Sequence, residues 1–212
     1  MAISKANFNS FNVTPTASKF ITFNSSNNGL AADDVGGSLV LISTQTASSS
    51  SSLSFTSGID STYKEYIFKY INCHPATTSN FTFNGSADGG SNYNVTKTTS
   101  HFRAYHNEND AEAVLEYNTS GDLAQSTDYQ RLNGAFNDND GSVSGTLHLF
   151  DPSNTTFVKH FISVSNAMIT TPYTQNVRVG GYFNTTSAIN AIDFKFSSGN
   201  IDSGIIKMYG VS

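Results

Sequence analysis

Serine, histidine and acidic side chains are the residues that could give this chain a hydrolytic site. The sequence contains 16 acidic residues, five histidines and abundant serine. A nucleophilic serine needs a histidine base that a carboxylate orients, and it often stands at the centre of a Gly-x-Ser-x-Gly turn. The nearest match runs from Gly141 to Gly145 and has Val143 at its centre. The sequence therefore predicts no catalytic residue, and we expect that the protein is not an enzyme.

Histidine pairs could bind a metal ion where two rings converge at short spacing. His101 and His106 are five residues apart, so a strand would direct them to opposite faces. His148 and His160 lie on neighbouring candidate strands and could face each other across a ladder. We interpret these histidines as surface or cross-strand packing residues, and a metal pair is the alternative.

Acidic residues cluster in three loop-like stretches, at 33–34, 108–116 and 138–140. The segment NDNDG resembles half of a calcium-binding loop. If Gly141 takes the sixth position of that loop, Phe136 is first and Leu147 is twelfth, and neither side chain can bind calcium. We therefore expect solvated hairpin tips, with a looser oxygen-ligand ion site as the alternative. We predict no metal-binding residue, no cofactor-binding residue and no cofactor.

Three tyrosines, Tyr93, Tyr105 and Tyr173, lie in or beside polar stretches of the chain. Aromatic faces flanked by hydrogen-bonding side chains are typical of sugar-binding surfaces, and recognition usually lies on loops that a rigid scaffold positions. Packing explains most such tyrosines, and a shared binding face is the alternative.

Short strands are the elements that must position these residues. Residues 64–73 alternate strictly, with Tyr66, Phe68 and Tyr70 on one face and Ile67 and Ile71 on the other, so both faces could be covered. Further strands are expected at 39–46, 79–84, 100–106, 113–118, 143–150, 156–165, 176–183, 191–197 and 204–211. Turn formers separate these runs, and helical periodicity is absent apart from a possible turn of helix within 108–117.

This spacing of strands predicts an all-β fold: an antiparallel β-sandwich, jelly-roll-like, with a short N-terminal arm. We place the arm at residues 1–36 and the sandwich at residues 37–212. The arm differs because spaced aromatic residues interrupt an Asn-, Ser- and Thr-rich stretch. We expect the last strand, 204–211, to close a sheet edge.

Charge and cysteine content limit the possible partners. The net charge is −5, and the eleven basic residues are scattered, so we expect no nucleic-acid partner. The longest aliphatic block, 39–42, is far shorter than the roughly 20 residues that span a bilayer, so we expect no membrane insertion. The first residues contain no apolar signal region, which predicts synthesis in the cytoplasm. The single Cys73 is interpreted as a small buried hydrophobic residue.

Five long segments of the chain are distinctive: SLVLISTQTASSSSSLSFTSGIDSTYKEYIFKYINCHPAT (38–77), FNGSADGGSNYN (83–94), HFRAYHNE (101–108), LFDPSNTTFVKHF (149–161) and GYFNTTSAINAIDFKFSSGNIDSGIIKMYGV (181–211). These segments resemble a family of β-rich virion proteins from marine tailed phages (cyanophages and their relatives), which includes tail-fibre-like and structural proteins. The resemblance covers nearly the whole chain.

The resemblance implies a virion protein that is made in the host cytoplasm and assembles with other virion proteins, as a homo-oligomer in which a trimer is favoured. Four aromatic residues of the arm would then attach it to the particle: Phe8, Phe11, Phe20 and Phe23. Tyr93, Tyr105 and Tyr173 would contact a host surface glycan. The function that this implies is a non-enzymatic, tail-fibre-type host-recognition component. A capsid decoration protein, or another purely structural virion protein, is the alternative.

Overall fold

The structure, a computed structural model, describes residues 19–23, 30–34, 39–136, 140–169 and 173–212. The described residues form strands and the turns between them, and none of them lies in a helix. The chain divides into two compact units, Met1–Ser38 and Leu39–Ser212. The arm inferred from the sequence, residues 1–36, ends two residues before the boundary between these units.

The first unit contains an antiparallel strand pair, β1 (Lys19–Phe23) and β2 (Leu30–Asp34). Lys19 lies opposite Asp34, and Phe23 lies opposite Leu30. Phe20 and Phe23 are therefore residues of β1, whereas Phe8 and Phe11 lie outside the described residues. Attachment to a virion through these four aromatic residues stays a prediction.

The second unit is built from two antiparallel sheets. Its strands are β3 (Leu39–Ser50), β4 (Leu53–Phe55), β5 (Glu65–Pro75), β6 (Ser79–Ser86), β7 (Lys97–Asn107), β8 (Ala113–Tyr117), β9 (Gln130–Phe136), β10 (Val143–Phe150), β11 (Lys159–Ile169), β12 (Tyr173–Phe183), β13 (Ala191–Phe196) and β14 (Ile201–Val211). The large sheet has eight strands in the order β3-β14-β5-β10-β11-β12-β7-β8, and the small sheet has four in the order β4-β13-β6-β9.

Aromatic side chains fill the space between the two sheets. Phe194 of the small sheet lies 5.6 Å, between ring centroids, from Phe68 of the large sheet and 6.0 Å from Phe81 of its own sheet. Phe83 of the small sheet meets Phe161 of the large sheet edge-to-face at 5.1 Å. Rings at these separations gain energy from geometry as well as from burial. The two sheets thus pack face to face, which confirms the antiparallel β-sandwich.

The alternation in β5 explains how one strand reaches this core. Tyr66, Phe68 and Tyr70 are fully buried between the sheets, as their shared face predicts. On the opposite face Ile67 is buried, but Ile71 is 42% exposed. The expectation that both faces of this strand are covered is therefore wrong at its second half, because no described element packs over Ile71.

Other sequence-based expectations need correction. The last strand does not close an edge, because β14 lies between β3 and β5. Residues 113–117 form strand β8, and the residues before them form a turn, so the described part of 108–117 contains no helix. The strands β4 and β9 were not expected. Sheets of eight and four strands do not confirm jelly-roll connectivity in particular.

Candidate functional site

A cleft of about 540 Å³ opens beside the loop that joins β10 to β11. It is lined by two phenylalanines and by polar side chains from this loop, from β11 and from the loop after β12. The lining residues are Phe150, Asp151, Asn154, Thr156, Phe157, Val158, His160 and Thr186.

Asn154 shapes the first wall of this cleft. Its side-chain oxygen accepts hydrogen bonds from the backbone N–H groups of Thr156 (2.7 Å) and Phe157 (2.9 Å). Its amide nitrogen donates to the Asp151 carboxylate at 2.8 Å, and Asp151 adopts the left-handed backbone conformation, with φ of 42°. Asx residues favour such local closures, so the loop is folded by its own side chains. The bond from Asn154, together with the Lys64 ammonium 2.9 Å away, lowers the pKa of Asp151.

Lys159 ties both walls of the cleft together from below. Its side chain is fully buried, and its ammonium donates to the backbone carbonyl oxygens of Phe157 (2.8 Å) and Thr185 (3.1 Å). Burial lowers the pKa of Lys159. The two loops are also joined by a backbone hydrogen bond from Ile189 to Pro152 at 2.9 Å. The cleft is therefore held in shape by hydrogen bonds to the main chain of both loops, before any ligand binds.

The rim of the cleft presents an aromatic face beside free hydrogen-bonding groups. The side chain of Phe157 is 68% exposed. Thr156, Thr186 and His160 are exposed at this rim, so their hydroxyls and ring nitrogens can reach a ligand. An aromatic face attracts the weakly positive C–H groups of a sugar ring, and hydroxyl and imidazole groups can exchange hydrogen bonds with sugar hydroxyls. The arrangement is suited to binding a neutral saccharide.

Two of the three tyrosines named from the sequence lie together at a different site. The rings of Tyr105 and Tyr173 meet edge-to-face at 5.5 Å. Both hydroxyls donate to the Glu112 carboxylate, at 3.2 Å from Tyr105 and 2.9 Å from Tyr173. The hydrogen bond to Glu112 raises the pKa of Tyr173. We call these three residues the tyrosine pair site; their donors are already occupied within the protein.

Tyr93 is not part of that group. It follows β6 of the small sheet, where its backbone carbonyl accepts a hydrogen bond from Asn84 at 2.6 Å. Its hydroxyl is buried and has no hydrogen-bond partner among the described residues. The structure thus brings Tyr105 and Tyr173 together and places Tyr93 in the loop between β6 and β7.

The strand predicted at 156–165 includes Phe157, so the sequence pattern does not identify it as a surface residue. The strand begins only at Lys159. The signal was present in the sequence, since Asp151, Pro152 and Asn154 are turn formers that extend the loop towards Phe157.

Neither of the two candidate histidine pairs converges in the structure. His101 is fully buried and His106 is half exposed, so they face opposite sides of β7, as predicted. Burial, then the charges of Arg131 and Arg103, lowers the pKa of His101 to about 4. His148 lies opposite Ile162 rather than His160, and its ring is 2.6 Å from the Glu65 carboxylate.

No group of three or more His, Cys, Asp or Glu side chains within the described ranges could hold a metal ion. The proposed oxygen-ligand ion site is only partly visible, because residues 137–139 lie outside those ranges.

One buried carboxylate makes hydroxyl contacts of the kind found in active sites. Asp193 accepts hydrogen bonds from Ser54 (2.5 Å) and Tyr129 (2.9 Å), and the Lys195 ammonium lies 3.9 Å from the Tyr129 ring centroid. The described partners of Asp193 include no histidine that could act as a base, and the group links β4 to β13, so we interpret it as structural. Cys73 is fully buried, and burial raises the pKa of its thiol to about 12, which makes it a poor nucleophile.

Comparison of the chain with protein-family models, with curated proteins and with solved structures finds no match. Nothing in the described ranges is a helix of the length and apolarity that crossing a bilayer requires.

Proposed function

We propose that this protein is a non-enzymatic phage virion protein that acts as a tail-fibre-type host-recognition component. The observation that supports recognition is the cleft beside Phe157, in which an exposed ring and exposed hydroxyls stand on walls fixed by Lys159. The resemblance to marine phage virion proteins supports the location. Under this proposal the protein is made in the host cytoplasm, assembles with other virion proteins as a homo-oligomer, and needs no cofactor.

The ligand that fits the cleft is a host surface glycan without strong charge. Asp151 is already paired with Lys64 and Asn154, so it is not a free anion for a cationic ligand. Affinity then comes from stacking on Phe157 and from hydrogen bonds to Thr156, Thr186 and His160. Such contacts are little screened by salt, in contrast to contacts between exposed charges.

Substitution of Phe157 tests this proposal. The full-length protein is applied to a printed array of bacterial surface glycans, and the dissociation constant of the strongest binder is then measured for the wild type and for Phe157→Ala. We expect at least a tenfold loss of affinity, since removing a stacking ring costs about 1.5 kcal/mol or more. The melting temperature should stay within about 1 °C, because the ring is exposed.

Phe102→Ala is the matched control, since Phe102 is also a half-exposed phenylalanine but lies on β7, outside the cleft. It should bind the glycan like the wild type. Equal affinity of Phe157→Ala and the wild type would rule out the cleft as the binding site, and binding of no glycan at all would count against host recognition.

A capsid decoration protein is the second candidate, and a different observation favours it. The face of the large sheet that points away from the small sheet carries exposed apolar side chains, which typically mark protein contacts. They are Ile71, Phe102, Leu115, Tyr117 and Ile162. Quantitative mass spectrometry of purified particles separates the two candidates: a few to a few tens of copies support the fibre, and hundreds of copies support decoration.

A further inference from the structure

One edge of the large sheet is long and uncharged. Strand β3 (Leu39–Ser50) pairs with β14 on one side, and no described strand pairs with its other side. Its sequence, LVLISTQTASSS, contains no charged residue, no proline and no glycine over 12 residues. Natural proteins usually protect an edge strand with charge, proline, a covering element or short length, because free backbone groups can pair with another chain.

The opposite edge of the same sheet is protected in several of these ways. Strand β8 (Ala113–Tyr117) has only 5 residues, and its Glu116 forms an ion pair with Arg103 at 2.5 Å. The part of the β7 edge that β8 does not reach is covered by the loop that follows β8. There the backbone N–H of Thr99 donates to the Leu123 carbonyl at 2.9 Å. One edge is thus closed, while the outer side of β3 has no partner strand among the described residues.

The far end of β3 is itself closed by local contacts. The Ser48 N–H is bonded to the Ser50 hydroxyl at 3.2 Å, and Asn200 donates to the Ser49 carbonyl at 2.9 Å. Ser49 has a positive φ of 52°, so the extended strand is interrupted there. The stretch that is free to pair is therefore 39–47, which begins with the exposed side chains of Leu39, Val40 and Leu41.

We propose that β3 pairs antiparallel with β3 of a second copy of this chain, so that two large sheets form one continuous sheet across a twofold axis. Antiparallel self-pairing places residues of 39–47 opposite other residues of the same segment, and none of them is charged, so no like-charge repulsion opposes the contact. Each copy offers one such edge, so the contact is isologous and closes at two copies. This interface is independent of the function proposed above and differs from the trimer that the family resemblance implies.

Lysine on the strand provides the test. The full-length wild type and the double variant Thr44→Lys/Thr46→Lys are compared by sedimentation equilibrium. Both threonines are exposed on β3, so the variant should keep the far-UV spectrum and melting behaviour of the fold while placing like charges across the pair. We expect a dimer for the wild type and at least a hundredfold weaker association for the variant. Thr174→Lys, on β12 of the same sheet, should associate like the wild type.

Cysteine cross-linking locates the contact. The native Cys73 is fully buried, so a cysteine introduced singly at Leu41, Ser43, Thr44 or Thr46 would be the accessible thiol. One position near the twofold axis should form an intermolecular disulfide much faster than the others, because an antiparallel strand opposes itself only at its centre. A monomeric wild type, or an oligomer that the two lysines leave intact and that none of these cysteines cross-links, would overturn the proposal.

Discussion

The Phe157 cleft and the tyrosine pair site use aromatic residues in opposite ways. At the pair site the hydroxyls of Tyr105 and Tyr173 both donate to Glu112, so the rings are fixed by their polar ends. In the cleft the Lys159 ammonium fixes the backbone carbonyl of Phe157, and the ring of Phe157 is left exposed. An aromatic ring thus stays available for a ligand when hydrogen bonds restrain the backbone of its residue and leave its side chain unrestrained.

Removal of the Lys159 ammonium should lower the stability of the protein more than any other change considered at these two sites. Lys159→Met keeps the apolar stem but leaves the carbonyls of Phe157 and Thr185 without a donor. We expect a loss of about 3 kcal/mol in the free energy of unfolding, since buried groups left unpaired cost about 1–3 kcal/mol each, partly offset by the charge that no longer needs burial. Urea unfolding measures the stability.

Glycan binding by the same variant should fall with Phe157 still present. The tyrosine pair site should be unchanged, which a tyrosine absorbance titration can check. Wild-type glycan affinity in Lys159→Met would show that the cleft does not depend on the hydrogen bonds that Lys159 donates to Phe157 and Thr185.

Lys97 is the counterpart of Lys159, since both lie opposite Phe183, on β7 and β11 respectively. It is fully buried but contacts a single carbonyl, that of Asp128, at 2.5 Å. Burial lowers its pKa to about 8 from 10.5. Between these values the unfolded chain holds a proton that the folded chain has lost, so stability rises with pH.

We expect the Lys97 contribution to grow by about 2 kcal/mol between pH 8 and pH 10. Urea unfolding at several pH values, as the difference between the wild type and Lys97→Met, isolates this contribution from that of the tyrosines. A flat difference would contradict the role of burial. Glycan binding of Lys97→Met should stay that of the wild type, because Lys97 does not support the cleft.

The smallest effect is expected at the tyrosine pair site. Glu112→Ala frees both hydroxyls, and the pKa of Tyr173 should fall towards its ordinary value because the carboxylate that raises it is gone. The contacts are exposed, so the free energy of unfolding should stay close to that of the wild type. Absorbance at alkaline pH follows the titration. An unchanged titration would mean that the hydroxyls do not depend on Glu112 in solution.

The sequence predicted the strands whose apolar residues alternate. It missed β4, which has only three residues, and β9, whose buried residues include polar side chains. In β9, Asn133 is fully buried, donating to Ser165 at 2.8 Å and accepting from Gln175 at 2.9 Å. Such a strand shows no apolar period, because its inward side chains are satisfied by partners that are distant in sequence. The same polar network links β9 to both β11 and β12.

The candidate sites show a similar limit. Loop chemistry indicated that Tyr105 and Tyr173 could be surface residues, but their meeting depends on the register of β7 and β12, in which Tyr105 lies opposite Gln175. No local pattern encodes that register. The cleft depends on a buried lysine reaching two carbonyls, and composition alone suggests that lysine is a surface residue.

The hydrogen bonds from Lys159 to main-chain oxygens affect how ligand recognition can change during evolution. Because Lys159 bonds to the backbone carbonyls of Phe157 and Thr185, these contacts do not depend on which side chains those positions carry. Exposed rim residues such as Thr156 and Thr186 can therefore be exchanged without loosening the scaffold. A single lineage could change its ligand preference by point substitutions at the rim, while the fold beneath stays constant.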